Sequence, residues 1–182
     1  MLATADIPSA LQTQPHLNIM KFTHLIEIND PLLPLVDVLT RVQLWRGLVL
    51  RATSPKLFVP YLDDCLISDR EPNRFSRALR YGDVLIRDVV TLAPLEEITI
   101  AVPEQKDIAA SLLIMRIESP HPDALFVRFI YDDGKVVETG SMEAFYDEYR
   151  RSAYQESDID TIRLVRELAQ QGRLDIDGVD LH

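Results

Sequence analysis

The sequence predicts an α+β domain: a curved seven-stranded antiparallel sheet around a long C-terminal helix, with two short helices after the first strand. Three observations predict it. Residues alternate between apolar and polar from Lys21 to Asn29, and again in a series of short runs from Asp64 to Asp132. Between those two regions, from Thr40 to Ala52, the apolar period lengthens to that of a helix. It does so once more from Ser141 to Gln171.

The first strand places Phe22, His24, Ile26 and Ile28 on one face and Thr23, Leu25, Glu27 and Asn29 on the other, the pattern of a half-buried strand. Pro31 and Pro34 lack the amide hydrogen that further pairing needs. Thr40, followed three residues later by Gln43, forms a capping box that opens a helix. Leu44, Trp45, Leu48, Val49 and Ala52 form its apolar stripe, leaving Arg41, Arg46 and Arg51 for water. Ser54-Pro55 starts a second short helix, with Pro at the first helical position.

From Asp64 onward strands are expected near 64–70, 74–81, 84–91, 96–102, 109–119 and 124–132. Turn signals such as Glu71-Pro72-Asn73 and Pro120-His121-Pro122 separate them, and Asp132-Asp133-Gly134 reads as another turn. The last helix carries a stripe of Phe145, Tyr149, Ser152, Ile159, Ile162, Val165 and Leu168, with a polar interruption from Gln155 to Asp158. Gly172 ends it, because glycine tolerates the left-handed conformation that closes a helix. One strand, two short helices, six consecutive strands and a long helix is the helix-grip order.

A chain of 182 residues fits one domain with a substantial core. Residues 1–19 read as an N-terminal tail, 20–174 as the domain and 175–182 as a C-terminal tail, with Met20 an alternative start. A formal charge of -10 argues against non-specific nucleic-acid binding, which needs a basic footprint. The single cysteine, Cys65, fits a reducing cytoplasm. Residues 1–19 contain no Lys or Arg to start a secretory signal, and no apolar run reaches the ~20 residues of a membrane span. A cytoplasmic protein without membrane insertion is therefore expected.

The segments KFTHLIEIND, LTRVQLWRGLVLRA, RYGDVLIRDVVTLAPLEEI and YDEYRRSAYQESDIDTIRLVRELAQQGRL resemble the AtaL-like family. That family lies in the START-like superfamily, also called SRPBCC, which includes the birch-pollen allergen. The resemblance covers residues 20 to 174. It implies a hydrophobic cavity between sheet and last helix. Superfamily members use such cavities to bind lipids, hormones or polyketides, and some catalyse cyclisation or dehydration there.

The Gly82-Asp83 loop sets a hairpin register that pairs Tyr81 with Val84, Leu79 with Ile86, Arg77 with Asp88 and Phe75 with Val90. This is the more apolar face, so it is expected to face the cavity, with Arg77 opposite Asp88. The pair either orients a ligand's polar group or provides acid–base chemistry, or it is a satisfied ion pair that fixes the sheet; a register slip would instead place both in solvent. His24 shares an apolar face and is either an acid–base group or a hydrogen-bonded core histidine. Trp45 is cavity wall or plain core, and Tyr81, Tyr131 and Tyr149 either point hydroxyls inward or hold them near the surface. Arg116 and Arg128 interrupt apolar strands and read as solvated outer-face residues, with a cavity mouth as the alternative. The candidate cavity set is His24, Trp45, Phe75, Arg77, Leu79, Tyr81, Ile86, Asp88 and Tyr149.

Asp63 and Asp64 disfavour a thiolate at Cys65. No GxSxG elbow, no zinc spacing among His16, His24, His121 and His182, and no phosphate-cradling glycine loop is present. No catalytic residue is assigned, and neither a metal nor a cofactor is expected. The leading expectation is a binder of a small hydrophobic or aromatic ligand, lipid- or polyketide-like. The alternatives are a polyketide cyclase/dehydratase-like enzyme and a non-catalytic interaction module with a filled core, for which a homodimer is an option.

Overall fold

Each alternating stretch becomes a strand in the computed structural model, which describes residues 18–30, 32, 37–137 and 142–175, except the side chains of 18–20, 134–137 and 142–145. The strands are β1 (Asn18–Asn29), β2 (Asp64–Glu71), β3 (Arg74–Tyr81), β4 (Val84–Ala93), β5 (Glu97–Val102), β6 (Ser111–Glu118) and β7 (Leu125–Val137). They form one antiparallel sheet in the order β1-β7-β6-β5-β4-β3-β2. Strands β2 to β7 are neighbours in both sequence and space, and β1 closes the far side against β7.

Two strand boundaries differ from expectation by more than two residues. Strand β1 starts at Asn18, so the expected tail is shorter and Met20 lies inside the strand. Strand β7 runs on to Val137, so Asp132-Asp133-Gly134 is strand rather than turn. Asp132 pairs there with Lys21 on one side and Leu112 on the other, while Asp133 and Gly134 fall in the register irregularity between the Lys21–Asp132 and Ile19–Val136 pairs, so the turn residues are absorbed as a bulge in the strand. Residues 1–17 and 176–182 of the two expected tails lie outside the described residues.

Helix α1 (Arg41–Thr53) opens with the expected capping box. The Gln43 amide donates to Thr40 Oγ1 at 3.1 Å, and the Thr40 amide donates to Gln43 Oε1 at 2.9 Å. A single 3₁₀ turn, Pro55–Leu57, follows it. Helix α2 (Met142–Gln170) crosses α1, and Gly172 beyond it takes φ +69°. The crossing is close: a Cβ at Gly47 would sit 2.6 Å from both methyls of Val165.

The three α1 arginines are not left in water as the stripe suggested. Arg41 donates to the Leu95 and Ile117 carbonyls at 3.1 and 3.0 Å, and Arg46 to the Leu174 carbonyl at 2.9 Å. Arg51 reaches inward to Met115 Sδ at 3.0 Å, and its guanidinium carbon lies 5.8 Å from the centre of the Phe129 ring. Their long apolar stems let the charged heads reach past the helix shoulder. Underneath, Leu44, Leu48, Val90, Ile98, Met115, Val127, Phe129 and Val165 form the core.

On α2, Ile162, Val165 and Leu168 are buried as the stripe requires. Tyr149 and Ile159 are 72% and 48% exposed, Ser152 is exposed, and the Phe145 side chain lies outside the described residues. The buried line instead continues through Asp158 and Thr161.

Candidate functional site

Strand alternation decides which side chains face the concave side of the sheet. The ladder registers put Phe22, His24 and Ile26 of β1 in line with Tyr131, Phe129 and Val127 of β7. Farther across, Phe75, Arg77, Leu79 and Tyr81 of β3 lie directly opposite Val90, Asp88, Ile86 and Val84 of β4. The hairpin register read from Gly82-Asp83 is thus the observed one, and Gly82 takes φ +58° to make the turn.

Burial varies along this face. Near α1 the inward residues Val90, Leu92, Ile98, Met115, Ile117 and Phe129 are buried. Toward the other ends of the same strands, inward Phe22, Ile86, Ile100, Leu113 and Tyr131 keep part of their surface exposed. Apolar groups in that position have lost only part of their contact with water, so a ligand covering them gains the rest.

Two polar constellations break the apolar lining. The first is the ion pair: Arg77 Nε donates to Asp88 Oδ1 at 2.8 Å and Nη2 to Oδ2 at 2.6 Å, while Nη1 donates to the Ala52 carbonyl at 2.8 Å. Arg77 and Asp88 are 5% and 3% exposed, so the pair is held by its own bidentate geometry and by the end of α1. Beside it Cys65 faces inward, and burial raises its thiol above the ordinary range. Burial likewise raises the Tyr81 hydroxyl, whose ring centre lies 6.3 Å from that of Tyr61.

The second constellation was not expected. Asp158 of α2 is fully buried against β1 and β7. Tyr131 donates its hydroxyl to Asp158 Oδ1 at 2.5 Å, and His24 Nδ1 lies 3.3 Å from Oδ2. Burial pushes the Asp158 carboxyl up to about 6, against the opposing pull of Tyr131, Arg51 and His24. Burial also raises the Tyr131 hydroxyl well above its ordinary value, with Arg51 acting in the opposite direction. An aromatic wall stands next to it: Tyr131 and Tyr154 stack with centroids 4.1 Å apart and planes 5° apart, and Phe22 lies 6.0 Å from Tyr131.

Of the expected residues, His24, Phe75, Arg77, Leu79, Tyr81, Ile86 and Asp88 do share the concave face. Trp45 packs, partly buried, against the core from α1. Tyr149 does not belong with them, because it sits on the side of α2 turned to solvent. Asp158 and Arg51 were missed, and Tyr131 was left undecided. The only sequence signal for Asp158 is its place four residues before Ile162 on the buried stripe. Arg116 and Arg128 are outer-face residues, paired with Glu97 and Glu118 at 2.6 Å each.

Depressions also lie outside the apolar lining, one of about 520 Å³ between Leu25, Glu118, Phe126 and Arg128 on the outer side. A second, of about 490 Å³, opens on the convex side among Leu66, Ser76, Arg80 and Arg87 and reaches Arg77 and Asp88. Another of about 400 Å³ lies between Val38, Gln43 and the Arg166–Gln170 end of α2. Among the described residues no group of three or more His, Cys, Asp or Glu is placed to hold a metal, and no helix is long and apolar enough to cross a membrane.

A curled antiparallel sheet gripping a long C-terminal helix, with an apolar concave face and few polar groups on it, is a helix-grip domain. The family model of AtaL, acetylaranotin biosynthesis cluster protein L, matches residues 26–172, and the chain belongs to that family. No curated protein matches the sequence.

Solved structures agree on the fold. The di-domain ARO/CYC StfQ from the steffimycin biosynthetic pathway superposes with a TM-score of 0.63 at 11% identity, over 87% of this chain and 53% of that one. This chain therefore spans about half the length of StfQ. The Zhui aromatase/cyclase from Streptomyces sp. R1128 gives 0.57 at 10% identity, over 85% and 95% of the two chains. Human STARD10 gives 0.55 at 12% identity, over 90% and 69%.

Proposed function

We propose that this protein binds a small hydrophobic or aromatic molecule, lipid- or polyketide-like, against the concave face of the sheet and beneath α2. The observation that carries the reading is the burial gradient. Inward-facing Phe22, Ile86, Ile100 and Leu113 remain partly exposed although the sheet curls around them. Beside them stand a few fixed polar groups, Arg77–Asp88 and His24–Asp158–Tyr131. An apolar lining with sparse, placed polar groups is the usual make-up of a small-molecule site. Phe75, Leu79, Tyr81 and, at its edge, Trp45 complete the proposed walls. The single cysteine fits a cytoplasmic setting.

Native mass spectrometry of the protein with a panel of long-chain fatty acids, hydroxynaphthalenes and anthraquinones tests this. A one-to-one adduct with at least one member is the expected result. A folded protein that takes up none of them would sink the reading and favour a filled-core interaction module.

A second reading, an enzyme of the cyclase or dehydratase kind, has one observation in its favour: His24 is hydrogen-bonded to a buried carboxylate. The names of StfQ and Zhui point the same way, but by analogy of fold alone. Turnover of a bound panel member that survives replacement of both His24 and Asp158 would dismiss those residues as its acid–base groups.

A further inference from the structure

We propose that the molecule bound on the concave face carries a hydroxyl group on a flat unsaturated ring, a phenol or an enol, and that this hydroxyl donates a hydrogen bond to His24 Nε2. The inference rests on the proposed concave-face site and names the chemistry that site selects.

The argument starts at Asp158. Its carboxylate, when ionised, can only accept hydrogen bonds. Tyr131 Oη occupies Oδ1 and His24 Nδ1 faces Oδ2. The imidazole therefore carries its proton on Nδ1, and Nε2 presents a lone pair. Among the described residues Nε2 has no partner, yet no buried side-chain nitrogen is left without one, so Nε2 is not sealed from water. The His24 side chain is 16% exposed, in agreement. A lone pair fixed there selects a donor rather than a carbonyl or an ether.

The surroundings supply the flatness. His24 lies in a row of aromatic rings, with Phe22 6.4 Å away and Tyr131 and Tyr154 stacked beyond it. Such a wall favours a planar partner stacked in parallel over a flexible chain. An acidic hydroxyl suits the position further, because Asp158 stabilises the imidazolium that forms as the proton shifts toward Nε2.

Two probes of almost the same shape isolate the hydroxyl: 2-naphthol, a donor, and 2-methoxynaphthalene, which cannot donate. Their affinities are compared by fluorescence titration of the full chain. The expected result is a preference of about tenfold for the naphthol, as one charge-linked hydrogen bond allows. In His24→Phe the preference should shrink to about twofold or less while the ether still binds. In Asp158→Asn the amide can donate to Nδ1, which moves the imidazole proton to Nε2 and should also erase the preference. A purely structural role for Asp158 would weaken both probes alike. Equal affinities in the unaltered protein, or a preference that survives both substitutions, would overturn the inference while leaving the pocket intact. Failure of both probes to bind would overturn the inference, and the pocket with it only if the fatty acids and anthraquinones fail as well.

Discussion

Arg77 and Asp88 face each other across the β3–β4 ladder and make two parallel hydrogen bonds, at 2.8 and 2.6 Å, with almost no contact with water. Their charges are tolerable only together. Removing one strands the other in an apolar wall, whereas removing both removes the desolvation as well. Arg77→Met should therefore lower unfolding free energy by about 3–5 kcal/mol, and Arg77→Met with Asp88→Leu by far less. Urea denaturation of the single and double variants measures this, and additive losses would contradict it.

Where the helices cross, space is the controlling quantity. Gly47→Ala would bring a methyl to 2.6 Å from two carbons of Val165, well inside van der Waals contact. A loss of about 1–3 kcal/mol is expected, the usual range for overpacking a tight core. Val165→Ala in the same chain should recover part of it. A thermal melt of the three proteins decides, and an unchanged Gly47→Ala midpoint would mean that the helices slide apart freely.

The pH dependence of stability follows from Asp158. Its folded value of about 6 lies above the ordinary 3.8, so between those values the folded state holds a proton the unfolded state has released. Stability therefore falls as pH rises through this window, by a total of about 3 kcal/mol from this group, and is level above it. Asp158→Asn, which does not titrate, should lack that fall. Denaturation series from pH 4 to 7 on both proteins give the difference, and parallel curves would reject the assignment.

Tyr131 holds the same carboxylate from the other side. The hydroxyl favours the ionised form, so Tyr131→Phe should move the Asp158 titration upward from about 6. Carbon-detected NMR of the Asp158 carboxyl reads this directly, and a downward or absent shift counts against the hydrogen bond.

Leu113, inward-facing on β6 and still partly exposed, offers a way to fill the proposed site. Leu113→Trp should reduce binding of 2-naphthol about tenfold or more while the fold persists. Calorimetry with a matched circular dichroism spectrum checks both halves of that statement.

Most of the architecture was legible because it rests on local rules. Alternation in Phe22-His24-Ile26-Ile28 is visible without any partner strand, and Gly82-Asp83 sets a register that carries Arg77 to Asp88. Two of the errors share one cause: apolar periodicity says nothing of buried polar residues. It therefore ran the α2 stripe through Tyr149 and Ile159 and passed over Asp158, whose burial is made tolerable by Tyr131 and His24 from strands far away in sequence. Arg51 escaped for the same reason, since its partners Met115 and Phe129 come together only in the folded chain. Asp132-Asp133-Gly134 failed the other way, a strong turn signal taken up as a bulge within a strand anchored at Asp132 on both flanks.

The sheet's strand order leaves β1 and β2 as its two rims, unpaired with each other. The curl is thus an unclosed ring, and its diameter is not locked by a final set of ladder bonds as it would be in a barrel. Opening or tightening the curl requires only small changes of twist spread over the strands, with every existing pairing kept. At the proposed site, a guest's girth would be met by the spring of the sheet, and its chemistry would be judged separately by the fixed groups on the wall.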